Sequence, residues 1–371
     1  MDESNKIPLK RYPLFAGFLS FILPGLGLMY CGKLAKGILV YILFLISSLI
    51  FTLLTLLISS FFVVIHLLLY VFIIVYTVIQ CVKVKEYVLK PYNIWYYYIL
   101  FYIVAIIISN MIEIPFIKSV FFEAYCIPTG SMENTLLVGD YIMDNKYSYG
   151  LHIPFSDSYL SKFKNPDYND MVVFNLLEKD DKSQKYNEIK YIKRCVALPT
   201  DTLRIIKKIL YINNKFQNPL PGIQTNGKSL PENVTNSKIF PSHSGWNEDY
   251  YGPIRIPKAG DIVALDSSNI ELWKDLIINE GHTIRMFEKK VYIDDKLSED
   301  GKYTVEKNYI FLLGDNRNNS LDSRFFGFIS TDKVVGKANT IYWSWDDKIS
   351  FFEPFHKIAS IRWNRIGLKL K

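Results

Sequence analysis

Thr129-Gly130-Ser131-Met132 follows Ile127-Pro128 and leads into Leu136-Leu137-Val138-Gly139-Asp140-Tyr141. Apolar runs on either side of a Pro- and Gly-bearing stretch read as strand, turn, strand. That pattern puts the Ser131 hydroxyl on the turn. Serine is a weak nucleophile until a base takes its proton, so the chemistry depends on what the rest of the chain brings to this point.

Two later stretches bear on that question. Tyr191-Ile192-Lys193-Arg194-Cys195-Val196 sets a lysine in an apolar, strand-like run, and Gly314-Asp315-Asn316-Arg317-Asn318-Asn319-Ser320-Leu321-Asp322-Ser323-Arg324 is a dense polar loop after a strand. A lysine in an apolar site loses several units of pKa by desolvation, and a fall of roughly three units makes it a usable base. Side chains alternate along a strand, so Arg194 faces away from Lys193 and suits an ion pair with a carboxylate such as Asp315. Arginine itself cannot act as the base.

Together with the apolar N-terminal third, these stretches resemble bacterial type I signal peptidase, the Ser/Lys endopeptidases of leader peptidase family S26. The signature from Gly314 to Arg324 is the most specific part of the resemblance, and Tyr251 to Lys258 is similar to the lead-in of Bacteroidetes-type members. The resemblance implies Ser131 as nucleophile and Lys193 as general base, with the Thr129 hydroxyl and the Ser131 N–H holding the oxyanion. It implies that Ser320 hydrogen-bonds and orients the lysine amine, while Arg194, Asp315, Asn316, Arg317, Asp322 and Arg324 brace the loop. Ile127, Pro128, Leu136, Tyr191 and Ile192 match positions lining shallow substrate pockets, with Met132 packed beneath. Such pockets beside a strand edge suit an extended peptide with small residues at its Ala-x-Ala end. Three positions depart from the family: Asn134 stands where proline is common, and Ala197 and Thr200 where glycine is common. Threonine at a positive φ is strained, so a different turn is expected before Asp201.

Composition frames the rest. The chain has 371 residues, 50% of them hydrophobic, and a net charge of +7. The apolar excess lies almost wholly before residue 117, which suits a membrane anchor ahead of a sizeable domain. No basic run with interleaved aromatics points to nucleic acid, and anionic lipid headgroups fit the charge better. The four cysteines, at 31, 81, 126 and 195, include no C-x-x-C pair, so no metal and no cofactor is expected. Cys126 and Cys195 either pair or stay as small buried side chains, the plainer reading.

Residues 1–116 read as the anchor. Lys6, Lys10 and Arg11 precede an apolar segment, 14–30, broken by Pro24-Gly25-Leu26-Gly27 and followed by Lys33 and Lys36. It is either a re-entrant hairpin or a short span. Segments 38–59, 61–82 and 94–116 each have the length and apolarity of a transmembrane helix, with a turn near Ser59-Ser60 and a basic loop of Lys83, Lys85 and Lys90. The positive-inside bias then puts residues 117–371 outside the cytoplasm, at a bacterial inner membrane.

Residues 117–371 show short apolar runs at 141–143, 171–174, 191–196, 203–209, 261–265, 289–293 and 309–313 between Gly, Pro, Asn and Asp turns. They predict a mainly β, antiparallel domain, with 203–307 an inserted β subdomain. The tail from Ile361 to Lys371 reads either as a lipid-contacting or as a solvated terminus.

The resemblance implies an endopeptidase that removes signal peptides from exported preproteins, with membrane lipids and the secretion translocon as further partners. A peptidase of few substrates is an alternative, as is a non-catalytic membrane assembly protein. Among enzymes, a Ser/His protease using His152 is the rival, but no G-x-S-x-G elbow surrounds Ser131.

Overall fold

The computed structural model describes residues 10–58, 61–84, 87–153, 155–179, 186–225, 227–288, 290–298 and 301–370. The turn expected at Ser59-Ser60, and Lys6, Lys85, Lys289 and Lys371, lie outside the described residues. The chain divides into two compact units, Met1–Ile117 and Lys118–Lys371.

In the first unit the apolar runs become helices because an uncharged run of this length satisfies its backbone only within itself. The expected segment 14–30 is two helices, α1 (Pro13–Ile22) and α2 (Leu26–Tyr30), interrupted at residues 23–25. Three longer helices follow, α3 (Leu34–Leu57), α4 (Phe61–Val82) and α5 (Trp95–Val120). All three are long and apolar enough to cross a membrane. Helix α3 starts before residue 38 because Lys36 joins its first turn, where a long side chain can keep its charge in water. Lys33, at the N-cap, donates to Gln80 Oε1 on α4 (2.6 Å).

The second unit is the expected antiparallel β domain. Its main sheet has seven strands: β1 (Ala124–Cys126), β2 (Asp140–Asn145), β3 (Met171–Lys179), β4 (Tyr186–Ala197), β5 (Tyr309–Leu313), β6 (Ile329–Ser330) and β7 (Val334–Ser344). The spatial order is β1-β2-β7-β3-β4-β5-β6, every pair antiparallel. The longest ladder joins β3 to β4 and sets Val172 opposite Lys193 and Met171 opposite Arg194. The end of β4 is enclosed, with residues 193–197 all buried.

Between β4 and β5 the chain builds smaller sheets. Thr202–Ile206, Ile209–Ile212, Lys215–Phe216 and Tyr250–Arg255 form one of four strands. Ile284–Phe287, Lys290–Ile293 and Lys296–Leu297 form one of three, and Ile262–Ala264 pairs with Lys302–Thr304. The single run expected at 203–209 is in fact a hairpin, because Lys207 (φ 50) and Lys208 (φ 69) both take positive φ, as a two-residue hairpin turn requires. A helix that the strand reading passed over, α6 (Ile270–Asn279), also lies here. Its Ile270, Trp273, Leu276 and Ile277 pack on the local core at helical spacing.

A compact core lies under the Ser131 turn. Ile127, Met132, Leu136, Ile142, Met171, Val173, Val335, Ala338 and Ile341 are buried together, with Tyr125 and Ile192 packed against them. The turn is thus anchored on its apolar residues from β2, β3 and β7.

Candidate active site

Ser131 reaches its position by a short, closely determined path. Ile127 N donates to Asp140 O (2.9 Å) and Gly139 N to Ile127 O (3.0 Å), closing the ends of the loop. Gly139 (φ +84) cannot be replaced cheaply, since a Cβ there would meet Trp345 O at 2.2 Å. Thr129 is extended (φ −130, ψ 156), and Gly130–Met132 then makes one 3-10 turn, closed by Glu133 N donating to Gly130 O (3.0 Å). In such a first turn the Ser131 N–H has no intrahelical acceptor. Asn134 follows at φ 77, a conformation open to asparagine but closed to the proline common in the family.

Lys193 Nζ lies 2.8 Å from Ser131 Oγ and 3.1 Å from Ile192 O. The lysine is 2% exposed. Burial pulls its pKa from 10.5 down to about 8, against the opposing pull of Asp322 and Asp315. Desolvation wins because both carboxylates are engaged by arginines. Arg194 Nε donates to Asp315 Oδ1 (2.8 Å) and Arg194 Nη2 to Asp315 Oδ2 (2.7 Å), while Arg194 Nη1 donates to Asn169 O (2.8 Å). Arg324 binds Asp322 in the same two-pronged way at 2.9 and 2.8 Å. Burial opposes ionisation of Asp322, but the Arg324 guanidinium holds its pKa below the ordinary value.

The polar loop is tied directly to the serine turn. Asn316 N donates to Ser131 O (3.1 Å), Asn316 Nδ2 to Gly130 O (3.1 Å), and Asp315 N to Met132 Sδ (3.3 Å). Gly314 N donates to Asp322 Oδ2 (3.1 Å), Arg317 Nε to Gly314 O (3.0 Å), and Arg324 Nη2 to Arg317 O (2.7 Å). Gly314 is required by close approach: a Cβ would stand 2.1 Å from Ser320 Oγ and 2.6 Å from Ser131 O.

Several expectations need correction. Ser320 does not hydrogen-bond Lys193, and its hydroxyl has no hydrogen-bond partner among the described residues. It packs on Gly314, and Lys193 is oriented by Ser131 and the Ile192 carbonyl instead. Of the five residues expected to line substrate pockets, Ile127 and Leu136 are buried in the core, Leu136 completely, because the turn folds them under beside Met132, the residue expected beneath. Pro128 and Thr129 are exposed, and Tyr191 and Ile192 half-buried. Thr200 does adopt positive φ (81). Its turn is held from outside, by Thr200 N to Ile256 O (2.8 Å) and Leu198 N to Asp201 Oδ2 (2.8 Å). All four thiols are free, with Cys195 fully buried.

The sequence did not mark Thr135, and the tail, read there as lipid-contacting or solvated, instead holds on to the domain through two arginines. Thr135 Oγ1 donates to Asp315 Oδ2 (2.6 Å). Arg365 Nη2 donates to Asp140 Oδ2 (2.5 Å) and to Thr135 O (2.9 Å), and Arg362 Nη1 to Val138 O (3.0 Å). The tail's arginines therefore clasp the segment after Ser131, and no local pattern announces so distant a contact. His152 is fully buried, its Nδ1 3.1 Å from Asp157 O and its ring 4.2 Å from that of Tyr159. Burial lowers its pKa, and it makes no hydrogen bond to Ser131.

The family described as "Signal peptidase, peptidase S26" matches residues 95–248 and 295–343. Signal peptidase I of Buchnera aphidicola subsp. Schizaphis graminum is 32% identical over 272 residues, covering 68% of this chain and 76% of that protein. Signal peptidase I of Pseudomonas aeruginosa is 28% identical over 257 residues, covering 66% and 73%. A solved signal peptidase I from Enterococcus faecalis V583 is 21% identical and covers 47% of this chain and 98% of its own, but its TM-score of 0.19 is too low to bear on the fold. With more than half of the chain matched and a relative of this identity spanned over three quarters of its length, the chain belongs to the signal peptidases of peptidase family S26.

Proposed function

We propose that the protein is a membrane-bound serine endopeptidase that removes N-terminal signal peptides from exported preproteins, with Ser131 as nucleophile and Lys193 as general base. The observation that carries this is the 2.8 Å contact between a buried lysine amine and the serine hydroxyl. With its pKa near 8, about one Lys193 in ten is neutral at pH 7, against about one in a few thousand for a free lysine.

The neutral amine takes the Ser131 proton as Oγ attacks the scissile carbonyl. The Ser131 N–H and the Thr129 hydroxyl stabilise the oxyanion, and loss of one such donor typically costs about a hundred- to a thousandfold in rate. The ammonium then returns its proton to the leaving amine, and water, deprotonated by the same lysine, releases the acyl group. Arg194 and Arg324 keep Asp315 and Asp322 occupied, which limits how far those carboxylates raise the lysine's pKa. Exposed Pro128 and half-buried Tyr191 and Ile192 border the substrate's path, in which an extended peptide adds as a strand. The three apolar helices support a multi-pass anchor in a bacterial inner membrane, and the lysine bias of their loops supports an extracytoplasmic β domain. Burial of His152 away from Ser131 argues against a Ser/His centre.

The test is preprotein cleavage by full-length protein in lipid, comparing Ser131→Ala and Lys193→Ala with His152→Ala. We expect the first two to abolish processing and the third to retain it. A fully active Lys193→Ala would overturn the mechanism. Failure of the wild-type protein to process any preprotein would favour a scaffold role, and cleavage of only one or two would favour a specialised peptidase.

A further inference from the structure

Beside the catalytic pair, the second unit has a partly open cavity of about 350 Å³ that the peptidase chemistry does not use. Its lining includes apolar Leu210, Phe216, Leu220 and Ile223 together with Arg194 and Arg317. The volume is in the range that holds a small ligand, and the lining mixes apolar side chains with polar and basic ones.

The two arginines differ in what they have left to offer. Arg194 is saturated by Asp315 and Asn169. Arg317 is 7% exposed, and its Nε is spent on Gly314 O. Its terminal nitrogens have no hydrogen-bond or carboxylate partner among the described residues. Asp322 and Asp315 act on Arg317 only at longer range, and a guanidinium whose terminal nitrogens are unspent can take an anion at two points. Burial and the nearby Arg324 and Arg194 hold the Arg317 pKa down to about 10 against the opposing pull of Asp322 and Asp315, so it is still protonated at neutral pH. Lys207 and Lys208 also line the cavity and add positive charge, with Lys208 shared by Asn318 (3.0 Å) and Asp249 (3.9 Å).

We propose that this cavity is a binding site for a small organic carboxylate, its head on Arg317 and its apolar body against Leu210, Phe216, Leu220 and Ile223. Either a free carboxylate or an acidic side chain of a bound peptide has this chemistry. The site is coupled to the serine turn by a short covalent and hydrogen-bonded path. Arg317 follows Asn316, whose N–H holds Ser131 O, and Arg317 N itself donates to Gln224 O (3.1 Å) on the loop that borders the cavity. Occupancy therefore steadies the loop that supports Ser131.

The experiment titrates the full chain in nanodiscs with 4-fluorobenzoate, read by fluorine NMR, with empty nanodiscs as baseline and 4-fluorobenzamide as the uncharged twin. We expect saturable millimolar binding of the carboxylate alone. Arg317→Met should weaken it at least tenfold, and Arg317→Lys by less. Because Arg317 lies in the polar loop, Leu220→Trp provides an independent arm: it fills the cavity, keeps the arginine, and should weaken binding at least as much. Displacement by a capped Phe-Asp peptide but not by its Phe-Asn twin would identify a peptide side chain as the source. Displacement by acetate and hexanoate without any effect of the peptides would identify a free carboxylate. Equal binding of the amide, unchanged binding in Leu220→Trp, or no saturation up to about 20 mM would overturn the proposal.

Discussion

Replacing Lys193 by methionine should kill the enzyme and strengthen the fold, and the size of the gain follows from the site. The amine sits 2% exposed, with its pKa brought from 10.5 to about 8 by burial. A depressed lysine pKa means that the charged form is penalised in the folded state. Below pH 8 both states are protonated and the folded chain carries the whole penalty, roughly 3 kcal/mol at about 1.36 kcal/mol per unit. Methionine removes the penalty but also the hydrogen bonds to Ser131 and Ile192, a loss of about 1 kcal/mol. At pH 7 the variant should therefore be more stable by about 2 kcal/mol. As pH rises from 8 towards 10.5 the folded wild-type sheds its proton before the unfolded chain does, so wild-type stability climbs. By pH 9.5 roughly 2 kcal/mol of the difference is gone and the two proteins should unfold together. Urea unfolding in detergent can follow this by tryptophan fluorescence, since every tryptophan except Trp95 lies in the second unit. A variant less stable than wild type at pH 7, or a difference that does not change between pH 7 and 9.5, would refute the reasoning.

Breaking the buried pair by Asp315→Asn should destabilise the second unit by about 3–5 kcal/mol, because Arg194 is left charged and enclosed; unfolding midpoints measure it, and a loss under about 1 kcal/mol would show the pair to be dispensable. Thr200→Gly removes a β-branched side chain from φ 81, and thermal or urea unfolding should show a gain of about 1 kcal/mol with processing unchanged.

The parts of this architecture that could be read in the sequence are those in which chemistry and local pattern coincide. The apolar helices announce themselves by length, the strands by short apolar runs between turn residues, and Ser131, Lys193 and the loop from Gly314 to Arg324 by residue types that a plain turn does not need. The hairpin at Lys207-Lys208 was hidden because two lysines seldom signal positive φ. Helix α6 carried a usable sign, Asn269 before Ile270, Trp273, Leu276 and Ile277, but its ten residues lie among strands. Burial of Leu136 and the clasp of Arg365 on Asp140 and Thr135 depend on contacts across the whole domain. Ser320 shows a different limit, since residue type and loop membership do not fix which oxygen a lysine amine selects.

The most direct test of the central claim is the pH dependence of kcat/KM for preprotein cleavage, which reports the free enzyme's essential base. With the Lys193 pKa at about 8, activity should rise about tenfold between pH 7 and 9 along a single limb. An ascending limb centred near 6.5, as a histidine base would give, or one still climbing at the ordinary pKa of lysine, would contradict a buried amine of lowered pKa as the group that activates Ser131.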